Sequence, residues 1–305
     1  MERPVSTYSV VARDPASGQL GVAVQSHWFS VGSVVTWAEP GVGAVATQAF
    51  ARAEYGPELL ADLRAGASAL GALAARLAAD GAADTRQVAV VDAAGRAAAH
   101  TGARCVRFAS HRVGEGFSVQ ANIMRTDQVV PAMAAAFAAS GRALTERLLV
   151  TLEAAERAGG DIRGRQSAAL LVVDGDASLP AWKRAVELRI EDHPDPLAEL
   201  RRLLTLHEAY ARMDEGDATL AAGDQVRASA AYAAALALAP NHVELAFWHA
   251  VTLASNGHEP EARAALAPLL AAHPNWAELL RRLPEAGLLA PAVAARLAVG
   301  AGRAR

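Results

Sequence analysis

The densest group of chemically able side chains is Gly160-Asp161-Ile162-Arg163-Gly164-Arg165-Gln166-Ser167. Its two arginines offer forks of N–H donors that match the two oxygens of a substrate carboxylate, and Asp161, Gln166 and Ser167 stand beside them. The plainer account is a turn whose glycines supply positive φ and whose Asp161 pairs with an arginine internally. Gln25-Ser26-His27-Trp28 sets a hydroxyl beside an imidazole. Adjacent strand residues point to opposite faces, however, so Ser26 and His27 suit site lining better than a nucleophile–base pair. Gln120 and Asn122 share one strand face, from which an amide can donate to an oxyanion, a role worth about 10²–10³ in rate where it operates. Gln48 carries the same chemistry. His100 and His111 titrate near neutrality and are candidates for acid–base work, with a structural or surface role as the alternative for each.

These residues fall on a regular succession of elements. Val5–Ala12 and Leu20–Ser26 are β-rich runs joined by Asp14-Pro15-Ala16-Ser17-Gly18, which predicts a hairpin. Ser33–Ala38 and Val42–Gln48 repeat that pattern around Glu39-Pro40-Gly41. Helical spacing follows in Glu58–Leu63 and Ala67–Ala79, and strands return at Gln87–Asp92, Ala97–Thr101 and Phe117–Asn122. Two helices, Gln128–Ala139 and Leu144–Ala158, precede a last strand, Ser167–Val173. Hairpins dominate, so an α+β domain with mainly antiparallel sheets and helices in outer layers is expected.

The chain has 305 residues, of which 52% are hydrophobic and 20% charged, enough to bury a sizeable core. About a quarter are alanine. A net charge of -3 gives no basic excess, so neither nucleic acid nor an anionic membrane is an expected partner. Cys105 is the one cysteine, which excludes an intrachain disulfide and a thiolate metal cluster. The start lacks a basic region followed by an apolar core, and no uncharged apolar run approaches the roughly 20 residues a bilayer requires. The expectation is a cytoplasmic protein. No dinucleotide or Walker-type glycine pattern is present, and His242 and His249 have no accompanying ligand set, so no cofactor and no metal are expected.

His193-Pro194-Asp195-Pro196 marks a boundary, giving expected domains 1–193 and 194–305. Beyond it seven identities recur at an offset of 34: Gly223/Gly257, Ala228/Ala262, Leu236/Leu270, Pro240/Pro274, Asn241/Asn275, Glu244/Glu278 and Leu245/Leu279. The register resembles tetratricopeptide repeats over roughly residues 207–285, which implies an all-α helical-repeat domain and an interaction surface for a protein partner.

A second resemblance covers the first domain. Thr7-Tyr8-Ser9-Val10-Val11-Ala12-Arg13-Asp14-Pro15, Gly21–Ser26, Gly41–Ala49, Ala99-His100-Thr101-Gly102 and Gly160–Leu170 resemble, in order, domain-of-unknown-function family 1028. The resemblance implies an N-terminal-nucleophile hydrolase-like fold, a four-layer α/β/β/α sandwich with the helical-repeat domain after it. In that superfamily the nucleophile is the first residue of the mature chain, and its own α-amine is the base. Thr7 matches that position, and Ser9 lies on the same strand face. Six residues precede Thr7, so either the Ser6-Thr7 bond is cleaved, or the site works differently, or the fold is used without this chemistry and Thr7 is an ordinary strand threonine or a ligand-binding hydroxyl.

The resemblance, with a hydroxyl at the start of the first strand, implies an amidohydrolase acting on a small amide or peptide-like substrate. Thr7 and Asn122 are its catalytic residues; Ser9, Ser26, His27, Gln48, Gln120, Asp161, Arg163, Arg165 and Gln166 are its substrate-binding ones. The alternative is a non-catalytic ligand-binding or oligomerising domain with a protein-interaction module. A homodimer is expected in either case, because self-association would cover an exposed sheet or a short repeat array.

Overall fold

The structure is a computed structural model that describes residues 7–298. It divides into two compact units, Met1–Leu204 and Thr205–Arg305. In the first, β1 (Thr7–Arg13) and β2 (Leu20–Ser26) form the expected hairpin. A short helix α1 (Gly32–Val35) leads into β3 (Thr36–Glu39) and β4 (Gly43–Ala49), then α2 (Tyr55–Arg64) and α3 (Ala69–Ala78). Next come β5 (Arg86–Asp92), β6 (Ala97–Thr101), β7 (Ser110–Gly114) and β8 (Phe117–Asn122). The helices α4 (Val129–Ala139) and α5 (Leu144–Arg157) precede β9 (Ser167–Val173) and β10 (Val186–Ile190). One sheet runs β10-β9-β2-β1-β8-β7 and the other β3-β4-β5-β6, with every pairing antiparallel.

Alternation along the strands builds three cores. Tyr8, Val10 and Ala12 face Met133, Phe137, Leu148 and Leu152 of α4 and α5. Val11, Val22 and Val24 share a core with Ala44, Ala46, Ala89 and Val91 of the other sheet. Val45, Val88 and Val90 pack instead with Leu59, Leu63 and Leu73 of α2 and α3. Each fully buried Val or Leu contributes about 1.5–3 kcal/mol over its exposed state. β4 and β8 leave their sheets through residues in the left-handed region, Ala49 at φ 65° and Ile123 at φ 58°.

Three elements differ from the sequence expectation. Ser33–Ala38 is not one strand but the end of α1 followed by β3, because the chain turns tightly where Val35 N donates to Val31 O at 3.0 Å. Gly32 permits that turn to lie on the sheet, since a Cβ there would meet the Ala169 Cβ at 2.6 Å. The edge strands β7 and β10 were not expected. Four of the five residues of β7, Ser-His-Arg-Val-Gly, are exposed, so it carries no apolar alternation to read.

The described residues of the second unit form helices throughout. It begins within α6 (Pro196–Ala221), a helix of 26 residues, and continues through α7 (Gln225–Leu238), α8 (Val243–Ser255), α9 (Glu259–Ala272), α10 (Pro274–Arg282) and α11 (Pro291–Ala298). Gly223 and Gly257, which recur at the offset of 34, follow α6 and α8 with φ of 84° and 87°, a conformation that costs glycine nothing. Ala228 and Ala262 are both buried in helix-packing cores. No helix among the described residues is long and apolar enough to cross a membrane.

Candidate functional site

At one end of the space between the two sheets the inward side chains change from apolar to polar. Thr7, Ser9, Ser26, Gln48, Ser118, Gln120 and Asn122 are all fully buried there, and so is Gln87. A buried polar group without a partner costs about 1–3 kcal/mol, so a cluster of this size must be mutually bonded. Ser118 Oγ donates to Gln120 Oε1 at 3.0 Å, and Gln120 Nε2 to Ser9 Oγ at 2.5 Å. Ser9 Oγ donates to Gln48 Oε1 at 2.7 Å. Gln48 Nε2 reaches Gln87 Oε1 at 2.7 Å and the Thr7 carbonyl at 3.3 Å. Thr7 Oγ1 lies 3.3 Å from Ser26 Oγ, and in the ladder Thr7 sits opposite both Ser26 and Asn122.

Gln87 is the hub, and the sequence reading did not single it out. Its Oε1 accepts from Gln48 and, at 2.9 Å, from Asn122 Nδ2, which fixes the orientation of the amide. Its Nε2 donates to Thr101 Oγ1 at 2.9 Å, Ala121 O at 3.0 Å and Ser110 O at 3.1 Å. Thr101 Oγ1 is in turn 2.8 Å from His111 Nδ1. The available signal was positional: Gln87 shares a strand face with Ala89 and Val91, where alternation reserves the place for a core side chain. Burial, then the charge of nearby His100, lowers the His111 pKa below its ordinary value of 6.5. Burial raises the Cys105 thiol above 9.0, so it carries no thiolate character at neutral pH.

The loop residues of the second cluster gather only in part. Asp161 is buried, and its carboxylate accepts from Arg163 N at 2.8 Å, Arg163 Nη2 at 2.9 Å and the His27 backbone N–H at 3.3 Å. A bridge between Met124 and Asp161 and a bond from Ile162 N to Ile123 O at 3.2 Å tie this loop to the end of β8, beside Asn122. The His27 side chain is exposed just beyond β2. Arg165 diverges from Arg163, pairing with Glu156 at 3.5 Å and Asp195 at 3.1 Å. The two guanidinium groups therefore do not form one fork. Gln166 donates to Asp192 Oδ1 at 3.0 Å, and its backbone N–H to Ser26 O at 3.1 Å. On the opposite face of β1, Tyr8 hydrogen-bonds Gln25 and, at 2.7 Å, Glu156. Burial first, and then Glu156, push its pKa well above 10.0.

A family model for a family of unknown function, DUF1028, matches residues 7–200. The chain belongs to the DUF1028 family. The crystal structure of a DUF1028 protein from Silicibacter pomeroyi is similar at 32% identity and a TM-score of 0.59, covering 65% of this chain and 88% of that one. Anbu (ancestral beta-subunit) from Yersinia bercovieri is matched over 65% of this chain and 92% of its own at 11% identity and a TM-score of 0.32, too slight a likeness to carry an argument. No curated protein matches the chain. The DUF1028 match takes in both polar clusters and ends at residue 200, inside α6, so α7 to α11 lie outside it.

Proposed function

We propose that the DUF1028 unit is an amidohydrolase of the N-terminal-nucleophile type acting on a small amide. The observation that carries this reading is a fully buried hydroxyl, Thr7, on the first residue of an interior strand, at the polar end of an otherwise apolar interlayer. Once the Ser6-Thr7 bond is cut, the Thr7 α-amine, with an ordinary pKa of about 7.7–8.0, takes the hydroxyl proton as Oγ1 attacks the amide carbonyl. The amine leaves with a proton, and water hydrolyses the resulting Thr7 ester. Asn122, whose amide Gln87 orients, donates to the oxyanion. Ser9, Ser26, Gln48 and Gln120 line the substrate side, with His27, Asp161 and Arg163 at its rim, while Arg165 and Gln166 turn away to Glu156, Asp195 and Asp192. Residues 1–6, and with them the Ser6-Thr7 bond, lie outside the described residues.

The same proposal takes the first unit as a four-layer α/β/β/α sandwich, supported by the three cores that separate α4 and α5, the two sheets, and α2 and α3. It takes the helical unit as tetratricopeptide-like, supported by the recurrence of left-handed glycines at the 34-residue offset. Cytoplasmic location, a homodimer and a protein partner for the helices complete it.

The decisive experiment is N-terminal sequencing and intact mass of untagged protein, followed by turnover of a panel of acyl p-nitroanilides. A chain beginning at Thr7, with turnover abolished in Thr7→Ala and partly kept in Thr7→Ser, is the expected result. A chain that keeps residues before Thr7, together with turnover indifferent to Thr7→Ala, would sink the hydrolase reading and favour a ligand-binding role.

A further inference from the structure

A separate cavity of about 520 Å³ opens beside the loop from Gly102 to Ala109 and the start of α4. Its size is that of pockets that enclose small organic ligands. Met124, Val129 and Val130, all buried, give it an apolar floor, and Phe108 adds an aromatic wall. Two opposite charges line it, Arg107 and Asp127. Neighbouring Arg104 is neutralised by Asp84 at 3.4 Å. By contrast, among the described residues no carboxylate pairs with Arg107, whose guanidinium lies 4.7 Å from the Phe108 ring centroid. Asp127 accepts a hydrogen bond from Gln128 Nε2 at 2.9 Å, and among the described residues no cation pairs with it. The two charges share a cavity without closing on each other.

His111 adds a third polar group to the lining. Its Nδ1 lies 2.8 Å from Thr101 Oγ1, which also accepts from Gln87 Nε2. A cation and an anion above an apolar floor, with an imidazole beside them, match a ligand with a carboxylate at one end, an ammonium at the other and apolar side chains between. We propose that this cavity binds a small apolar dipeptide as its zwitterion, with the carboxylate on Arg107 and the ammonium on Asp127. The cavity meets the Gln87 network through Thr101, but its ligand is assigned without recourse to the chemistry of Thr7.

The test is calorimetric titration of the full chain with leucyl-leucine, its N-acetyl derivative and its C-terminal amide. Leucyl-leucine binds saturably, and removing either terminal charge weakens it about tenfold. In Arg107→Gln the dipeptide weakens similarly, and the amide is no longer worse than the parent; in Asp127→Asn the same holds for the N-acetyl form. Both side chains are exposed, so both variants keep the native circular dichroism spectrum. Absence of saturable binding overturns the proposal. So does a penalty for the blocked ligands that neither variant removes.

Discussion

Along β2 the side chains that face the other sheet run Leu20, Val22, Val24 and then Ser26. Along β9 they run Val173, Leu171, Ala169 and then Ser167, and along β1 Val11, then Ser9 and Thr7. In the second sheet Ala44 and Ala46 give way to Gln48, and Val91 and Ala89 to Gln87. Five strands thus change character at the same end, under one alternation rule and at equal burial. The apolar end is held by area, so each contact there is local and tolerant of neighbours. The polar end is held by reciprocity, because each amide is satisfied only while its partners remain. Its members therefore behave as a unit, which is what a site needs and a core does not.

The strongest challenge to this contrast is Gln87→Leu. It removes the acceptor of Gln48 and Asn122 at once, leaving buried donors behind, and a loss of about 4 kcal/mol in urea-melt stability is expected. Leu171→Ala at the apolar end should cost about 3 kcal/mol, in the range of large-to-small core changes, and leave the polar network unaffected. If the glutamine change proved as mild as a surface substitution, reciprocity would not be what holds that end. A smaller effect sharpens the contrast, since the polar end is built from neutral side chains and the nearest acid sensitivity must come from outside it. Arg86 begins β5, and its Nε donates to Asp80 at 2.9 Å. Burial of Asp80 pushes its carboxyl pKa up, but bonds from Arg86, the Ala82 N–H and Tyr55, with the Arg86 charge, outweigh this and hold it below 3.8. A depressed carboxyl stabilises the fold fully above the unfolded value and less as pH falls through the folded one. Asp80→Asn should therefore lower stability at neutral pH and flatten its decline below about pH 4, read as urea midpoints across the acid range.

Much of the frame was legible in the sequence. β6, β8 and β9 begin and end where their strand-like runs and flanking turn residues place them. The gathering of Thr7, Ser9, Gln48, Gln120 and Asn122 was legible only as parity within single strands. Parity assigns a face, not the partner strand across the layer, so Gln87 went unseen although it touches two of them. Asp161 and Arg163 form the internal pair of a turn, while Arg165 is drawn away by Glu156 and Asp195, residues distant in sequence. β7 was missed because four of its five residues are exposed and leave no period to detect, whereas β10 does alternate, Val186-Glu187-Leu188-Arg189-Ile190, in a run of only five residues that was passed over.

Ala49 and Ile123 close their strands at this same end in a backbone conformation that side-chain-bearing residues avoid, at a cost of about 1–3 kcal/mol each. A substitution scan would therefore read inverted here. Glycine, which elsewhere in a strand is among the most damaging replacements, is at Ala49 the change that relaxes the chain. At Ile123 the same relief is set against the loss of a buried side chain, so one backbone geometry makes two neighbouring exits from the polar layer differ in how freely they can drift.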